Sequence, residues 1–310
     1  MANCHSLFQL FDAKITLPPD KKKALKTSRN NLREKIRAKF SAKGYSVKFY
    51  SQGSLPMGTI IRPADDDYDI DDGTYIEGDK VPAESIPTLH SWILEAAEDH
   101  TKKAPIDKNS CVRVLFADGH HIDLVLYSLA TKPHPSLAHK TQNWILSDPR
   151  EFMDWFNSRA AQTPQLRNIV RYLKAWGDHL RGEMPSGLIM TILGTNNFAP
   201  NARDDLAFAD TLVRIQRTLS ASFACYRPTT PQEDLFRDYK DTRRNYFVER
   251  LGSLVTSATQ ALEVPNQKDA CPKWRKHLGP RFPCELAEDT LANAKHFETP
   301  ALIRGDSRSA

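Results

Sequence analysis

Two carboxylates separated by one residue are the clearest chemical feature of this sequence. Asp69 and Asp71 flank Ile70 in the segment YDIDD. A β-strand places residues i and i+2 on one face, so both carboxylates point the same way if this segment is extended. Two unit charges about 4 Å apart repel by roughly 4 kcal/mol at an effective dielectric constant of about 20. The pair therefore needs a shared proton or a hard divalent cation, which prefers oxygen ligands.

A third acid, Asp123, lies in the apolar segment 121–127, which alternates as a strand. An unpaired carboxylate buried in such a strand costs several kcal/mol, so Asp123 needs a partner. A metal ion shared with Asp69 and Asp71 is one candidate for that partner. An ion pair with Arg113, on the preceding strand of the predicted hairpin, is the alternative.

A Gly53-Ser54 pair directly follows the predicted first strand, residues 47–52. Glycine lets the backbone approach a phosphate closely, and Ser54 adds a hydroxyl and an amide to a small anion-binding nest. Pro56 is compatible with the first turn of a short helix whose N-terminal amides would point at the same phosphate. The pattern predicts a phosphate-binding turn near the acids, although such a pair is elsewhere often an ordinary turn.

The elements that must position these residues change character along the chain. A basic helix is predicted over residues 20–44, with apolar residues at helical spacing on one side. Strands and helices then alternate, residues 132–147 are predicted to be a linker, and helices dominate from Pro149 onward. We therefore predict a core lobe over residues 1–148, a helical lobe over 149–303 and a flexible tail over 304–310.

Two features of the helical part could contact a phosphate chain. Arg167, Arg171 and Lys174 lie at positions i, i+4 and i+7 of a predicted helix, so they share one face. Three cations in such a stripe could hold a triphosphate, or they could face solvent. Ser186 is predicted to be the N-cap of the next helix.

Composition limits the class of protein. The chain has 310 residues, a formal net charge of +5, and no run approaching 18 consecutive apolar residues. No membrane span and no signal peptide are predicted. A cytoplasmic protein is therefore expected by default. Five cysteines without close spacing predict free thiols in a reducing compartment. Cys271, His277 and Cys284 are a weaker candidate for a metal site.

Taken in order, the Gly-Ser turn, the Asp-x-Asp strand and the later acid in an apolar strand resemble the polymerase-beta-like nucleotidyltransferases. The run GSLPMGTIIRPADDDYDIDDGTYI resembles more specifically the bacterial cGAS/DncV-like nucleotidyltransferases. The likeness continues in Ser147-Asp148-Pro149, LRNIVRYLKAWGD, PSGL and RDDL, and so covers most of the chain. It implies an α+β fold with a mixed-sheet nucleotidyltransferase lobe, a C-terminal helical lobe and an active site in the cleft between them.

The resemblance also implies residue roles. Asp69, Asp71 and Asp123 would be the catalytic, metal-binding acids, holding two Mg²⁺ ions or Mn²⁺ in their place. The residues that would bind the nucleotide are Gln52, Gly53, Ser54, Lys174 and Ser186.

The implied activity is condensation of nucleoside triphosphates, ATP among them, into a cyclic oligonucleotide second messenger with release of pyrophosphate. Within the family, the motifs look closest to branches that make adenine-containing cyclic trinucleotides in anti-phage (CBASS) signalling. One alternative is a nucleotidyltransferase that makes linear products or modifies an RNA, a protein or a small molecule. Another is a nucleotide-binding scaffold without activity.

The partners implied by the resemblance are an effector that senses the product, and an activator. The activator would be a HORMA-type protein with its remodelling ATPase, or a pair of ubiquitin-transfer-like enzymes acting on the C-terminus, where Ser309 and Ala310 are small. The cations of the basic helix over residues 20–44 have two alternative interpretations. They face solvent, or they contact nucleic acid.

Overall fold

The computed structural model of the protein describes residues 1–117 and 119–290. The α-helices are α1 (His5–Ile15), α2 (Pro19–Ser41), α3 (Ser54–Met57), α4 (Ile86–Ala97), α5 (Pro149–Gln162), α6 (Gln165–Leu180), α7 (Gly187–Asn196), α8 (Asp204–Ala221), α9 (Asp241–Glu263) and α10 (Gln267–Leu278). The strands are β1 (Val47–Gln52), β2 (Asp69–Ile76), β3 (Ile106–Asp107), β4 (Val112–Leu115), β5 (His121–Ser128), β6 (Ser136–His139) and β7 (Asn143–Leu146).

One mixed sheet forms the centre of the first lobe. Its strand order is β1-β2-β5-β4-β3, and β6 pairs with β5 and with β7. The neighbours β2 and β5 are parallel, whereas the other pairs are antiparallel. Helices α2 and α4 cover one face of this sheet. The predicted apolar stripe of α2 lies in that core, where each member is at most 1% exposed: Leu25, Leu32, Ile36 and Phe40.

The second lobe is helical. Helices α5 to α10 share one large core, and α1 packs in it although it precedes the sheet in the chain. The ring of Phe8 in α1 lies 4.9–5.8 Å from four aromatic rings of this lobe, including Trp274 and Tyr172. Helix α1 thus joins the helical core although it belongs to residues 1–148, and so does Met57 of α3. The division at residue 148 itself stays a prediction. Among residues 1–117 and 119–290, none of the helices is both long and apolar enough to cross a bilayer.

Two local predictions about the sheet are wrong. The predicted linker over residues 132–147 contains β6 and β7, which are too short to show a clear alternation in sequence. Asp-Gly pairs are typical of turns, so the sequence also predicts that β2 ends or bulges at Asp72-Gly73, whereas the strand continues to Ile76. Glycine is required inside this strand because a Cβ at position 73 would collide with the ring of Tyr75. Asp118-Gly119 is a favoured two-residue turn and predicts the connection of the hairpin, but position 118 lies outside the described residues. The predicted tail over residues 304–310 also lies outside them.

The prediction of five free thiols is wrong for one pair. Cys271 in α10 and Cys284, 13 residues later, form a disulfide because the chain turns back after α10 and brings them together. His277 Nε2 lies 2.9 Å from Ser257 Oγ. The predicted metal site of Cys271, His277 and Cys284 is therefore wrong, because the two cysteines form a disulfide and the histidine contacts a serine. The other three cysteines are free and buried: Cys4, Cys111 and Cys225.

Reduction of this disulfide is expected to lower the free energy of unfolding by about 2–4 kcal/mol, the usual range for a loop-closing disulfide. Chemical denaturation with and without dithiothreitol measures the change. The Cys284→Ser variant serves as the control, because reductant should have no further effect on it. Equal stability of the oxidised and reduced wild-type protein would contradict the assignment.

Candidate active site

Three predicted acids meet on the face of the sheet opposite α2 and α4. The parallel register of β2 and β5 places Asp69 beside His121 and Asp71 beside Asp123, so all four side chains share that face. Carboxylate oxygens of Asp69 and Asp123 lie within 4.8 Å of each other. Residues that are distant in sequence are thereby brought together by strand pairing alone.

The electrostatics of Asp71 reflect this crowding. Burial, and then the negative charges of Asp69 and Asp123, raise the pKa of Asp71 to about 7. Arg113 and Lys174 act in the opposite direction without offsetting the shift. A site with converging oxygen donors and an excess of negative charge fits a hard divalent cation. Asp69, Asp71 and Asp123 are the residues that would hold it.

Asp123 also forms the ion pair that the sequence left open as the alternative to a metal. Arg113 Nε and Nη2 each donate to a carboxylate oxygen of Asp123 at 2.7 Å. Arg113 lies on β4, which is on the other side of β5 from β2. The guanidinium therefore does not separate Asp123 from Asp69 and Asp71, and the ion pair and the acid cluster coexist.

The Gly53-Ser54 turn lies directly against Asp71. Gln52, the last residue of β1, pairs with Asp71 in the antiparallel register, and Gly53 follows with φ of 74°. A Cβ at position 53 would collide with the Asp71 carboxylate. The turn therefore requires glycine for two reasons, its backbone conformation and the close approach of an acid.

Two cations of the predicted stripe on α6, Arg167 and Arg171, form hydrogen bonds within the protein. Arg167 donates to the carbonyl of Met57 at 3.0 Å, and Arg171 donates to the carbonyl of Gly58 at 2.7 Å. Arg171 also forms a two-point ion pair with Asp12 of α1. Both arginines thus tie the C-terminal end of α3 to the helical lobe. Neither lines the cavity between the lobes.

Lys174 continues this series but does reach the site. Its Nζ lies 3.3 Å from the carbonyl and 3.2 Å from the hydroxyl of Thr59. Burial lowers the pKa of Lys174 to about 8, although Asp69 and Asp71 act to raise it. Lys174 therefore brings a cation from the helical lobe toward the acids of the sheet.

A cavity of about 790 Å³ lies between the two lobes. Ser186 does not line it, although its neighbours Pro185 and Gly187 do. The Ser186 hydroxyl accepts from the Ile189 amide at 3.5 Å and caps α7, as its alternative role predicted. Seven residues from the predicted site line the cavity: Gln52, Gly53, Ser54, Asp69, Asp71, Asp123 and Lys174.

Several residues at the site were not assigned from the sequence. Tyr127 lines the cavity and stacks on Tyr75, with ring centroids 4.5 Å apart. Arg227 lines it from the connection between α8 and α9, where no periodic pattern exists to reveal it. His121 shares the acid face. Its place two residues before Asp123 was the one available signal, because strand alternation puts both on one side.

The raised pKa of Asp71 predicts how the stability of the metal-free protein depends on pH. The folded protein holds a proton on Asp71 up to about pH 7, whereas the unfolded chain releases it near the ordinary value of 3.8. Stability is therefore lost as pH rises through this interval. In EDTA, the melting temperature of Asp71→Asn minus that of wild type should increase between pH 4 and pH 8. A difference that stays constant across this range would contradict the assignment.

A mixed sheet with acids on one face, opposed by a helical lobe across a cleft, is the arrangement that the resemblance to the polymerase-beta-like nucleotidyltransferases implies. Residues 47–127 match the family model described as "Cyclic GMP-AMP synthase DncV-like, nucleotidyltransferase domain". These residues include the Gly-Ser turn and all three acids. The predicted resemblance to the bacterial cGAS/DncV-like nucleotidyltransferases is confirmed.

Curated relatives and solved structures extend the match. The cyclic GMP-AMP synthase of Escherichia albertii is 27% identical over 213 residues, covering 64% of this chain and 47% of that protein. The cyclic GMP-AMP synthase of Vibrio cholerae serotype O1 is 25% identical over 285 residues, covering 70% of this chain and 64% of that protein. The chain thus spans about half the length of the Escherichia albertii relative.

The crystal structure of Vibrio cholerae DncV cyclic AMP-GMP synthase superposes with a TM-score of 0.78 at 21% identity, covering 90% of this chain and 97% of that one. The same enzyme in complex with the linear intermediate 5′ pppA(3′,5′)pG superposes with a TM-score of 0.75 at 23% identity, covering 91% and 98% of the two chains. At these identities, the superpositions establish the fold.

Proposed function

We propose that this chain is a divalent-metal-dependent nucleotidyltransferase that condenses nucleoside triphosphates into a cyclic oligonucleotide and releases pyrophosphate. One observation carries the proposal. The acid cluster of β2 and β5, the Gly53-Ser54 turn and Lys174 all line one cavity between the lobes. Its volume of about 790 Å³ falls within the range of small-molecule sites, which supports a nucleotide-sized substrate.

The residues of the cavity suggest how a triphosphate would lie in it. Gly53 leaves the backbone accessible beside Asp71, so the turn and the Ser54 hydroxyl can contact phosphate oxygens. Lys174 comes from the opposite lobe and can transfer its hydrogen bonds from Thr59 to a phosphate. A triphosphate held by both lobes would place its α-phosphorus next to the acids.

The reaction is an in-line displacement. A ribose hydroxyl forms a bond to the α-phosphorus, the bond to the β-phosphate oxygen breaks, and the hydroxyl proton passes to solvent. At such a site, a pair of divalent cations supplies activation of the hydroxyl and neutralisation of the departing pyrophosphate. Asp69, Asp71 and Asp123 would hold those cations, and Arg113 keeps the Asp123 carboxylate in place with two hydrogen bonds.

Two cyclic oligonucleotides of different ring size are candidates for the product. The named relatives are cyclic GMP-AMP synthases, which favours a cyclic dinucleotide. The motifs favour an adenine-containing cyclic trinucleotide, and a role in anti-phage signalling follows from the same resemblance. The molecular mass of the product separates a two-nucleotide ring from a three-nucleotide ring.

The basic helix α2 supports an acceptor such as RNA only weakly. Several of its cations already have partners: Arg33 is paired with Asp72, Lys39 with Glu95 and Lys21 with Asp66. Lys23 and Lys26 remain exposed. A contact with nucleic acid stays a prediction, as do a HORMA-type activator and ubiquitin-transfer-like enzymes acting on the C-terminus, which lies outside the described residues.

The test is incubation of the full chain with the four nucleoside triphosphates and Mg²⁺ or Mn²⁺, followed by phosphatase treatment and mass spectrometry. Phosphatase-resistant oligonucleotides of cyclic mass are the expected result. Products that remain phosphatase-sensitive are linear and would overturn the cyclisation step. A labelled nucleotide that appears only on an added RNA or protein acceptor would favour the alternative transferase.

A further inference from the structure

A histidine is built into the acid cluster beside the three acids. His121 is the register partner of Asp69 on the neighbouring strand and precedes Asp123 by two residues, so its ring lies on their face of the sheet. A ring nitrogen of His121 and single oxygens of Asp69 and Asp123 all lie within 4.8 Å of one another. These three side chains could therefore contact one ion together.

The ring of His121 is held at one nitrogen and free at the other. Its Nδ1 lies 3.1 Å from a carboxylate oxygen of Asp67. Its Nε2 is buried and makes no hydrogen bond to any described residue, and the side chain is only 7% exposed. A buried polar atom without a partner is uncommon and costly. An imidazole oriented by a carboxylate through one nitrogen, with the other nitrogen free, is the usual arrangement of a metal-binding histidine.

Asp71 does not belong to this group of three. Its carboxylate lies on the other side, against Gly53. The cluster therefore has two parts. The part next to the Gly53-Ser54 turn has the carboxylate of Asp71, and the part next to β5 has the imidazole of His121 with the carboxylates of Asp69 and Asp123. The charges of both Asp69 and Asp123 act on Asp71, so the two parts lie next to each other.

We propose that His121 contributes an imidazole nitrogen to the ion bound between Asp69 and Asp123, with Asp67 as the residue that positions its ring. This inference rests on the metal site of the proposed function and adds to it a mixed nitrogen and oxygen ligand set. Imidazole suits transition metals, whereas Mg²⁺ prefers oxygen. The β5 side of the site thus selects Mn²⁺ over Mg²⁺, and the side next to Gly53 does not.

Electron spin-echo envelope modulation of the Mn²⁺-loaded full chain, with a non-hydrolysable ATP analogue, tests this directly. Nitrogen coupled to Mn²⁺ modulates the echo, and the modulation should change when the protein is grown with ¹⁵N-histidine. This comparison needs no mutation, so it does not depend on the folding of a variant. The signal should disappear in His121→Phe and persist in the control His139→Gln, which removes a histidine on β6 instead.

Affinity is the second readout. Asp67→Asn should raise the Kd for Mn²⁺ by about 10- to 100-fold, the usual cost of removing a partner that orients a ligand, and His121→Phe should raise it by at least as much. Neither change should alter the Kd for Mg²⁺ as strongly. Mn²⁺ that binds without histidine modulation would overturn the inference and leave the proposed function intact. Failure of Mn²⁺ to bind in the presence of the nucleotide would overturn both.

Discussion

Replacement of Asp71 by Asn is expected to reduce pyrophosphate release by at least about 10²- to 10³-fold, the size of loss seen when one group that stabilises transition-state charge is removed. Asn keeps the shape of the side chain but lacks the negative charge that would hold a cation beside Gly53. The same change should stabilise the metal-free protein. It removes a buried carboxylate whose pKa is raised to about 7 by burial and by Asp69 and Asp123.

These opposite effects distinguish a role in chemistry from a role in folding. Steady-state pyrophosphate release and the melting temperature in EDTA should be measured on the same preparations. Asp79→Asn is the matched control, since the Asp79 side chain is 96% exposed and lies outside the cavity. Asp71→Asn with normal activity, or with a lowered melting temperature in EDTA at pH 8, where the wild-type carboxylate is charged, would contradict the assignment.

Substitution of Gly53 by Ala is expected to reduce activity by about 10²-fold or more. The new Cβ would collide with the Asp71 carboxylate, so either the turn or the acid must shift. A displacement of about 1 Å at reacting groups costs about 10²-fold in rate. The measurement is pyrophosphate release at saturating nucleotide, with circular dichroism to establish that the fold is kept.

Gly44→Ala is the control for backbone strain. Gly44 also has a positive φ, of 84°, but a Cβ there would meet nothing within 4 Å. Both alanines incur strain from a positive φ, and the strain is larger at position 53, where ψ is −151° and the conformation is essentially restricted to glycine. Only the alanine at position 53 also meets a side chain of the site. Equal activity of the two variants would show that the close approach of Gly53 to Asp71 has no functional role.

The core of the site was predictable because its signals are local. Strand alternation places Asp69 and Asp71 on one face whatever their partner strand is. Gly53 and Ser54 follow a strand that begins and ends where the sequence indicates, at Val47 and Gln52. The parallel pairing that brings Asp123 beside Asp71 is not local. The sequence supports it through the need of a buried acid for a partner and through the family resemblance.

Other features depend on tertiary contacts that no sequence pattern encodes. Helix α1 is short, and its aromatic side chains find their partners in a lobe more than 140 residues away, as the contact of Phe8 with Tyr172 illustrates. Arg167 and Arg171 resembled phosphate ligands by spacing, but their partners are carbonyls of a distant turn. The Cys271–Cys284 disulfide likewise depends on how the chain turns after α10.

The ambiguity at Asp123 has a physical resolution. The sequence offered a metal or an ion pair with Arg113 as alternatives, because each would compensate a buried charge. In a sheet, however, a residue on a central strand has neighbours on both sides, and here Arg113 occupies one side and the acids the other. The two interactions are exclusive alternatives only while the strand order is unknown.

The most direct test of the central claim is anomalous diffraction from crystals of the full chain grown with Mn²⁺ and a non-hydrolysable ATP analogue. Anomalous peaks are expected in contact with the carboxylates of Asp69 and Asp71, with the triphosphate between the Gly53-Ser54 turn and Lys174. A nucleotide bound in the cavity without a metal peak at these acids, or bound elsewhere on the protein, would contradict the claim.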